Sequence, residues 1–176
     1  SPSRHSALAA VLLVAAATAV AAAGLPPYTP DANAPRDAVP AAYRWDLSAL
    51  FKDDQAFERA RLELLADVPQ LAAFEGKLSD PGTLRAALEL YFRLHRDANF
   101  VTLYANLRQS TALSDDHANA MVAQSLAAMD ELMRSAAFLR REILTMPAPT
   151  LAAAQAAEPG LGAYRSYVDN LRRRSG

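Results

Sequence analysis

The side chains that would first indicate a metal site or a general base are the histidines, and the chain has three: His5, His95 and His117. Two imidazoles four residues apart on one helix can share a zinc ion, as in the pattern His-Glu-x-x-His. The three histidines are far apart in sequence, and no such pair occurs. We therefore predict no metal-binding, cofactor-binding or catalytic residue in this chain.

The carboxylates near two of these histidines have simpler explanations than a ligand set. The one nearest to His95, Asp97, is two positions away and so faces elsewhere on a helix. We predict that His95 is a surface or partly buried helix residue. Asp115 and Asp116 precede His117 where a helix is expected to begin, and carboxylates at that position cap backbone amides and favour the helix dipole. We predict that they serve the helix and not a metal.

Other chemistries find little support in the sequence. Cysteine is absent, which excludes disulfides, thiol catalysis and cysteine-ligated metals. Ser110 and Thr111 have no base at a recognised spacing, and the six glycines form no phosphate-binding loop. Arg172-Arg173-Arg174 could bind an anion. We favour solvated charges at a helix C-terminus, where cations complement the dipole.

Charge and composition limit the class of protein. The 176 residues carry 18 Lys and Arg against 19 Asp and Glu, a formal net charge of -1. Bulk charge therefore predicts neither nucleic-acid binding nor a strongly charged partner. Hydrophobic residues make up 52% of the chain and aromatic residues 7%, so the apolar content is mostly alanine and leucine. Those residues favour helix over strand, and the length suits one domain.

The N-terminal segment has the three parts of a secretory signal peptide. A short polar or basic start is followed by an apolar run from Ala7 to Val20, and small residues occupy positions 21–24. We predict that residues 1–23 are a cleaved signal and that the protein is exported, periplasmic or secreted. An uncleaved membrane anchor is the alternative, which the alanine content weakens. Contact with a membrane is expected only in that case.

Residues 24–42 are predicted to form a linker. Five prolines lie between positions 26 and 40, and each removes a backbone donor and fixes φ. The segment should therefore be extended. A proline-rich ligand for a recognition domain is the alternative, but the prolines do not repeat as a regular binding motif. A spacer is the better interpretation.

From residue 43 the apolar period becomes helical, and residues 43–176 are predicted to form one helical domain. Its start should be a hydrophobic clasp made of Trp45, Leu47, Leu50 and Phe51. Helix starts are predicted at caps or prolines, namely at Asp53 or Asp54, at Asp80-Pro81, and at Ser114 or Asp115. Pro69 should kink or divide the first helix near Asp67. The second helix should run to about Thr111.

The third helix is predicted to extend to Pro147 and to bury one stripe. That stripe consists of Val122, Leu126, Met129, Met133 and Ala136, widened by Leu132, Leu139 and Ile143, and Met121 is predicted to fill the core as well. A short helix to Ala157 and a last amphipathic segment from Tyr164 should follow. The predicted fold class is all-α, an array of three long antiparallel helices plus one or two short ones.

Four motifs in collinear order carry a resemblance to a known family. They are Tyr43-Arg44-Trp45-Asp46-Leu47-Ser48-Ala49-Leu50-Phe51; Phe74-Glu75-Gly76-Lys77-Leu78; Leu90-Tyr91 with Leu103-Tyr104-Ala105-Asn106-Leu107-Arg108; and Tyr164-Arg165-Ser166-Tyr167-Val168-Asp169-Asn170-Leu171-Arg172-Arg173. From roughly Tyr43 to Arg174, the chain resembles the N-terminal region of oligoendopeptidase F, a zinc metallopeptidase related to thimet oligopeptidase.

That resemblance implies that the N-terminal helices and a later catalytic domain have different roles. In the family, zinc and the catalytic glutamate belong to a His-Glu-x-x-His helix of a later domain, a further glutamate is the third protein ligand, and the N-terminal helices wall a channel that admits short peptides. None of those catalytic positions has a counterpart here. The chain also stops at Ser175-Gly176, where the family would continue with more helices. We therefore expect a truncated chain that is inactive alone, whose partner is the missing C-terminal catalytic domain with its zinc.

Two interpretations of function remain at this point. In the first, the chain is the channel-forming lobe of an exported oligopeptidase. In the second, it is a stand-alone exported helical module that binds a partner through an exposed apolar groove. The end of the chain within a helical pattern favours the first. Neither interpretation involves a nucleic acid.

Overall fold

The computed structural model describes residues 27–31, 38–111 and 113–174. The predicted signal peptide, residues 1–23, and part of the predicted linker therefore lie outside the described residues. The chain divides into two units, one up to Arg44 and one from Trp45 onward. The first unit contains the 3-10 helix Ala41–Tyr43, and the rings of Tyr28 and Tyr43 pack with centroids 4.9 Å apart.

The unit from Trp45 onward, which we call the helical unit, has no strand among its described residues. Its α-helices are α1 (Asp54–Asp67), α2 (Pro81–Ser110), α3 (Asp116–Ser135), α4 (Ala137–Thr145), α5 (Ala148–Ala157) and α6 (Arg165–Arg173). The 3-10 helices Val68–Phe74 and Pro159–Tyr164 follow α1 and precede α6. The predicted all-α class is confirmed. α2 packs along α3, and α1 packs against both.

Each of the three long helices has an aspartate as its N-cap. The free amides of a first turn need acceptors, and a carboxylate at the N-cap supplies one. The aspartates and the residues whose amides they accept are Asp53 with Ala56, Asp80 with Thr83, and Asp115 with His117 and Ala118. The predicted starts at Asp53, Asp80-Pro81 and Asp115 are confirmed.

The first helical segment is divided where its proline predicts. α1 ends at Asp67, and the chain continues as the 3-10 helix Val68–Phe74, because Pro69 has no N–H for an α-helical bond. The turn that follows places Gly76 at φ +76°, in the left-handed region that favours glycine. Its N–H donates to Glu142 Oε1 at 2.7 Å, so this turn is tied to α4.

The third helix differs from the prediction in length and in its buried face. It ends at Ser135, and α4 begins after a break at Ala136. The residues that α3 buries are Ala118, Met121, Ser125, Ala128 and Leu132. Leu126 and Met133, which the predicted stripe placed in the core, are 50% and 47% exposed. The prediction was wrong for these two side chains, because they lie off the face of α3 that packs in the core. The rest of the predicted stripe follows the prediction: Met121, Leu132, Ala136, Leu139 and Ile143 are buried, and Val122 and Met129 are partly buried against the core.

Two hydrophobic clusters form the core of the helical unit. The larger cluster includes buried residues of all six α-helices, and the smaller cluster consists of Phe57, Val101, Tyr104, Ala105 and Met121. Leu47, Leu50 and Phe51 pack against the smaller cluster, as the predicted clasp requires. Trp45 does not follow that prediction, since 61% of its surface is exposed. Burial of apolar side chains therefore holds only the segment after Trp45 against the smaller cluster.

No helix within the described ranges combines the length and the apolar character needed to cross a bilayer.

Candidate functional site

Polar and titratable side chains meet where three helix ends come together. Asp54 is the first residue of α1, Tyr104 and Arg108 lie one turn apart near the end of α2, and Asp115 and His117 belong to the start of α3. We call these five residues the polar cluster.

The carboxylate of Asp54 is the centre of the polar cluster. Tyr104 Oη donates a hydrogen bond to Asp54 Oδ1 at 2.8 Å. His117 Nε2 lies 3.2 Å from Asp54 Oδ2, and Arg108 Nε lies 3.6 Å from Asp54 Oδ1. Arg108 Nη1 also lies 3.6 Å from Asp115 Oδ2, so the guanidinium joins the first turns of α1 and α3.

The tyrosine of the polar cluster is held in its neutral form. Burial raises the pKa of Tyr104 to about 12, and the hydrogen bond to the Asp54 carboxylate acts in the same direction. The positive charge of Arg108 partly opposes this effect. A phenol with so high a pKa is a hydrogen-bond donor at neutral pH and not a base. Tyr104 therefore holds α2 to the start of α1.

A pocket of about 180 Å³ opens beside the polar cluster, between α1 and α3. It is lined by Asp54, Phe57, Glu58, His117, Ala120, Met121 and Gln124. An imidazole against a carboxylate is the arrangement that orients a general base, but a nucleophilic mechanism also needs an attacking group. The side chains that line this pocket include no hydroxyl, thiol or amine, and its second carboxylate, Glu58, is paired with Arg61 at 2.6 Å. We conclude that the polar cluster connects helix ends.

Two of the three histidines, His95 and His117, lie within the described residues. Asp115 caps α3 as predicted, but His117 pairs with Asp54 on α1, a long-range contact that no local pattern indicates. His95 is partly buried on α2, which confirms its prediction, and its Nδ1 lies 3.0 Å from Asn99 Nδ2.

Zinc, which the resemblance implies for a later domain of the family, does not fit the described residues. Within them, no group of three or more His, Cys, Asp or Glu side chains is arranged to hold a metal ion. The pair of His117 and Asp54 falls short of a ligand set because zinc sites in proteins have three or four protein ligands. A zinc centre would need residues from elsewhere.

The C-terminal arginines are not all solvated, contrary to the prediction. Arg172 Nη1 donates to the carbonyl oxygens of Ile143 at 3.2 Å and Met146 at 2.8 Å. These carbonyls lie at the end of α4, where backbone acceptors lack helical partners. Arg173 donates to the side chain of Asn170 on its own helix. Arg172 is therefore a cap for a neighbouring helix.

The motifs that carry the resemblance meet in the folded chain. Phe51 of the first motif packs against Tyr104 of the third, with ring centroids 5.4 Å apart. Tyr91, also of the third, lies 6.0 Å from Tyr167 of the last by the same measure. Burial raises the pKa of Tyr167 to about 12, in keeping with a packed ring. These motif residues are packing contacts of the helical unit, which explains their spacing without a catalytic role.

The class that this geometry defines is an all-α helical array without a complete reactive centre in its described part. A comparison with models of known protein families gives no match, and neither does a comparison with curated proteins. Among solved structures, the chain is similar to oligoendopeptidase-F from Enterococcus faecium, with a TM-score of 0.63 and 22% sequence identity. The similarity covers 68% of this chain and 24% of that chain. The helical array thus has a fold related to part of that protein.

Proposed function

We propose that this chain is the N-terminal helical lobe of an exported zinc oligopeptidase of the oligoendopeptidase F type, which hydrolyses short peptides. The observation that carries the proposal is the fold similarity at a TM-score of 0.63, over 68% of the chain. The contacts between Phe51 and Tyr104 and between Tyr91 and Tyr167 support it, because they join the motifs of the resemblance.

In this proposal, the helices of this chain form a wall of the substrate channel and the chemistry belongs to the rest of a longer protein. The matched structure is consistent with this division, since only 24% of its length is covered. The zinc ion would activate water for attack on a peptide bond, and its ligands would come from a His-Glu-x-x-His segment outside this chain. The apolar N-terminal segment supports export to the periplasm or beyond.

The proposal predicts that the 176-residue chain has no peptidase activity of its own. The purified chain, incubated with zinc and a quenched fluorescent peptide, should give no cleavage above the rate without protein. A zinc-dependent cleavage that a chelator abolishes would contradict the assignment of chemistry to another domain.

The sequence of the encoding gene tests the same proposal independently. The reading frame should continue past the codon for Gly176 and encode a His-Glu-x-x-His motif. A stop codon at that point, with no such motif in a downstream frame, would favour the stand-alone partner-binding module.

A further inference from the structure

A pocket of about 230 Å³ opens on the helical unit, between the segment that precedes α1, α1 itself and α2. It is lined by Ala49, Leu50, Phe51, Ala60, Asp97 and Phe100. All of these residues except Asp97 are apolar, and Phe100 is 45% exposed. Water in contact with such walls is unfavourable, so an apolar group that filled the pocket would be stabilised there.

Trp45 is an exposed apolar ring attached close to this pocket. It is the only tryptophan of the chain, and 61% of its surface is exposed. Four residue steps separate it from Ala49 on the pocket wall, which limits the distance between their Cα atoms to about 14 Å. The ring and the pocket belong to the same unit of the chain.

The backbone between them is fixed only after Trp45. The amides of Leu50 and Phe51 donate to the carbonyl oxygen of Leu47 at 2.9 and 3.2 Å, and Leu47 packs against the smaller core cluster. This turn holds the pocket wall in place. The Asp46 carboxylate accepts from the Ser48 N–H at 2.9 Å, so Asp46 belongs to the fixed turn. A rotation about the backbone of Trp45 therefore moves the indole ring without disturbing this turn or a helix.

The chemistry of the pocket matches that of an indole. Indole offers two broad apolar faces and a single N–H donor, which needs an acceptor when the ring is buried. The pocket offers apolar walls with the aromatic ring of Phe100 and one carboxylate, Asp97. The Asp97 side chain is 37% exposed, its Oδ1 lies 3.1 Å from Arg96 Nη2 and its Oδ2 lies 3.9 Å from Arg93 Nη1. A carboxylate has more acceptor positions than these two pairs use.

We propose that Trp45 is a strap that closes this pocket. In the closed conformation its indole ring packs against Phe51 and Phe100 and donates its N–H to Asp97. Closure extends the smaller core cluster outward and completes the hydrophobic clasp that the sequence predicts. This inference does not depend on the peptidase proposal.

The single tryptophan makes the strap measurable in the 176-residue chain. The emission maximum and the acrylamide quenching constant are measured for the folded chain and for the chain in denaturing urea. We expect the folded chain to emit at shorter wavelength and to be quenched less. Ala49→Leu fills the pocket and should shift the emission toward that of the unfolded chain and raise the quenching constant.

Ala66→Leu is the matched control, because Ala66 is exposed on α1 and lies outside the pocket lining. It should leave both values unchanged. If far-ultraviolet circular dichroism shows that Ala49→Leu does not fold, Phe100→Ser removes a wall and should give the same spectral change. Equal emission and quenching in the folded and unfolded wild type would overturn the proposal, and so would a pocket variant that folds and behaves like the control.

Discussion

At the scale of single residues, Asp54 shows how one side chain acquires a role from distant parts of the chain. Its sequence context suggests only a helix start, for which Asp53 and Asp54 are equivalent candidates. The fold gives the cap to Asp53 and leaves the Asp54 carboxylate to accept from Tyr104 and to face His117 and Arg108. For Tyr104, the consequence is a raised pKa.

The raised pKa of Tyr104 predicts a late ionisation in the folded protein. We expect a tyrosinate absorbance step near pH 12 to which Tyr104 and Tyr167 both contribute, read in a rapid pH jump before the chain unfolds, and Tyr104→Phe should lower its amplitude to the Tyr167 contribution. Asp54→Asn should move the Tyr104 part of this step to lower pH because a neighbouring negative charge is lost, although burial still raises the pKa. Asp116→Asn, on the exposed start of α3, is the control. An unchanged step in Asp54→Asn would contradict the role of the carboxylate.

The raised pKa of Tyr104 also determines whether the stability of the fold rises or falls with pH. The pKa of Tyr104 is raised from 10.0 to about 12 by folding, so the folded state holds this proton more tightly than the unfolded state does. Its contribution to stability is complete below about pH 10 and is lost as the pH rises toward 12.

At the scale of secondary-structure elements, α3 shows that the buried face of a helix is set by its neighbour. The long apolar side chains of Leu126 and Met133 suggested the core face, yet both are about half exposed. The buried face carries three small residues, Ala118, Ser125 and Ala128, beside Met121 and Leu132. The Ser125 hydroxyl donates to the carbonyl oxygen of Val122 at 2.8 Å. Small side chains allow the axes of α2 and α3 to come close.

Two adjacent alanines of α3 test this assignment. Ala128 is 1% exposed and Ala127 is exposed, so the same substitution meets opposite surroundings. Ala128→Leu should lower the free energy of unfolding by about 1–3 kcal/mol through overpacking, as measured by urea denaturation. Ala127→Leu should change it by less than about 0.5 kcal/mol. Equal effects at the two positions would show that the buried face is wrongly assigned.

At the scale of the whole molecule, α2 joins the two core clusters of the helical unit. Its first half gives Leu84, Leu88 and Leu94 to the larger cluster, and its second half gives Val101 and Tyr104 to the smaller one. A continuous helix cannot lose its packing in one half without exposing apolar surface next to the other. We therefore expect the two clusters to unfold together.

Matched truncations in the two clusters check this cooperativity. Phe57→Ala in the smaller cluster and Leu139→Ala in the larger one each remove a side chain that is 1% exposed. Because a cavity is left, the free energy of unfolding should fall by about 3–5 kcal/mol in Phe57→Ala and by about 2–5 kcal/mol in Leu139→Ala. Urea denaturation followed by circular dichroism should show one transition with an unchanged slope in both variants. A second transition in either variant would mean that the clusters unfold separately.

The amino-acid sequence by itself determined the all-α class, the aspartate caps of the three long helices and the division of α1 before Pro69, because composition, capping and the missing N–H of proline act within a few residues. Only the tertiary structure decided which face of α3 is buried, that Arg172 caps α4, and that Asp54, Tyr104 and His117 meet. Those outcomes depend on how closely neighbouring helices pack and on which helix ends meet. Such contacts join residues that are far apart in sequence, so no local pattern of residue types indicates them.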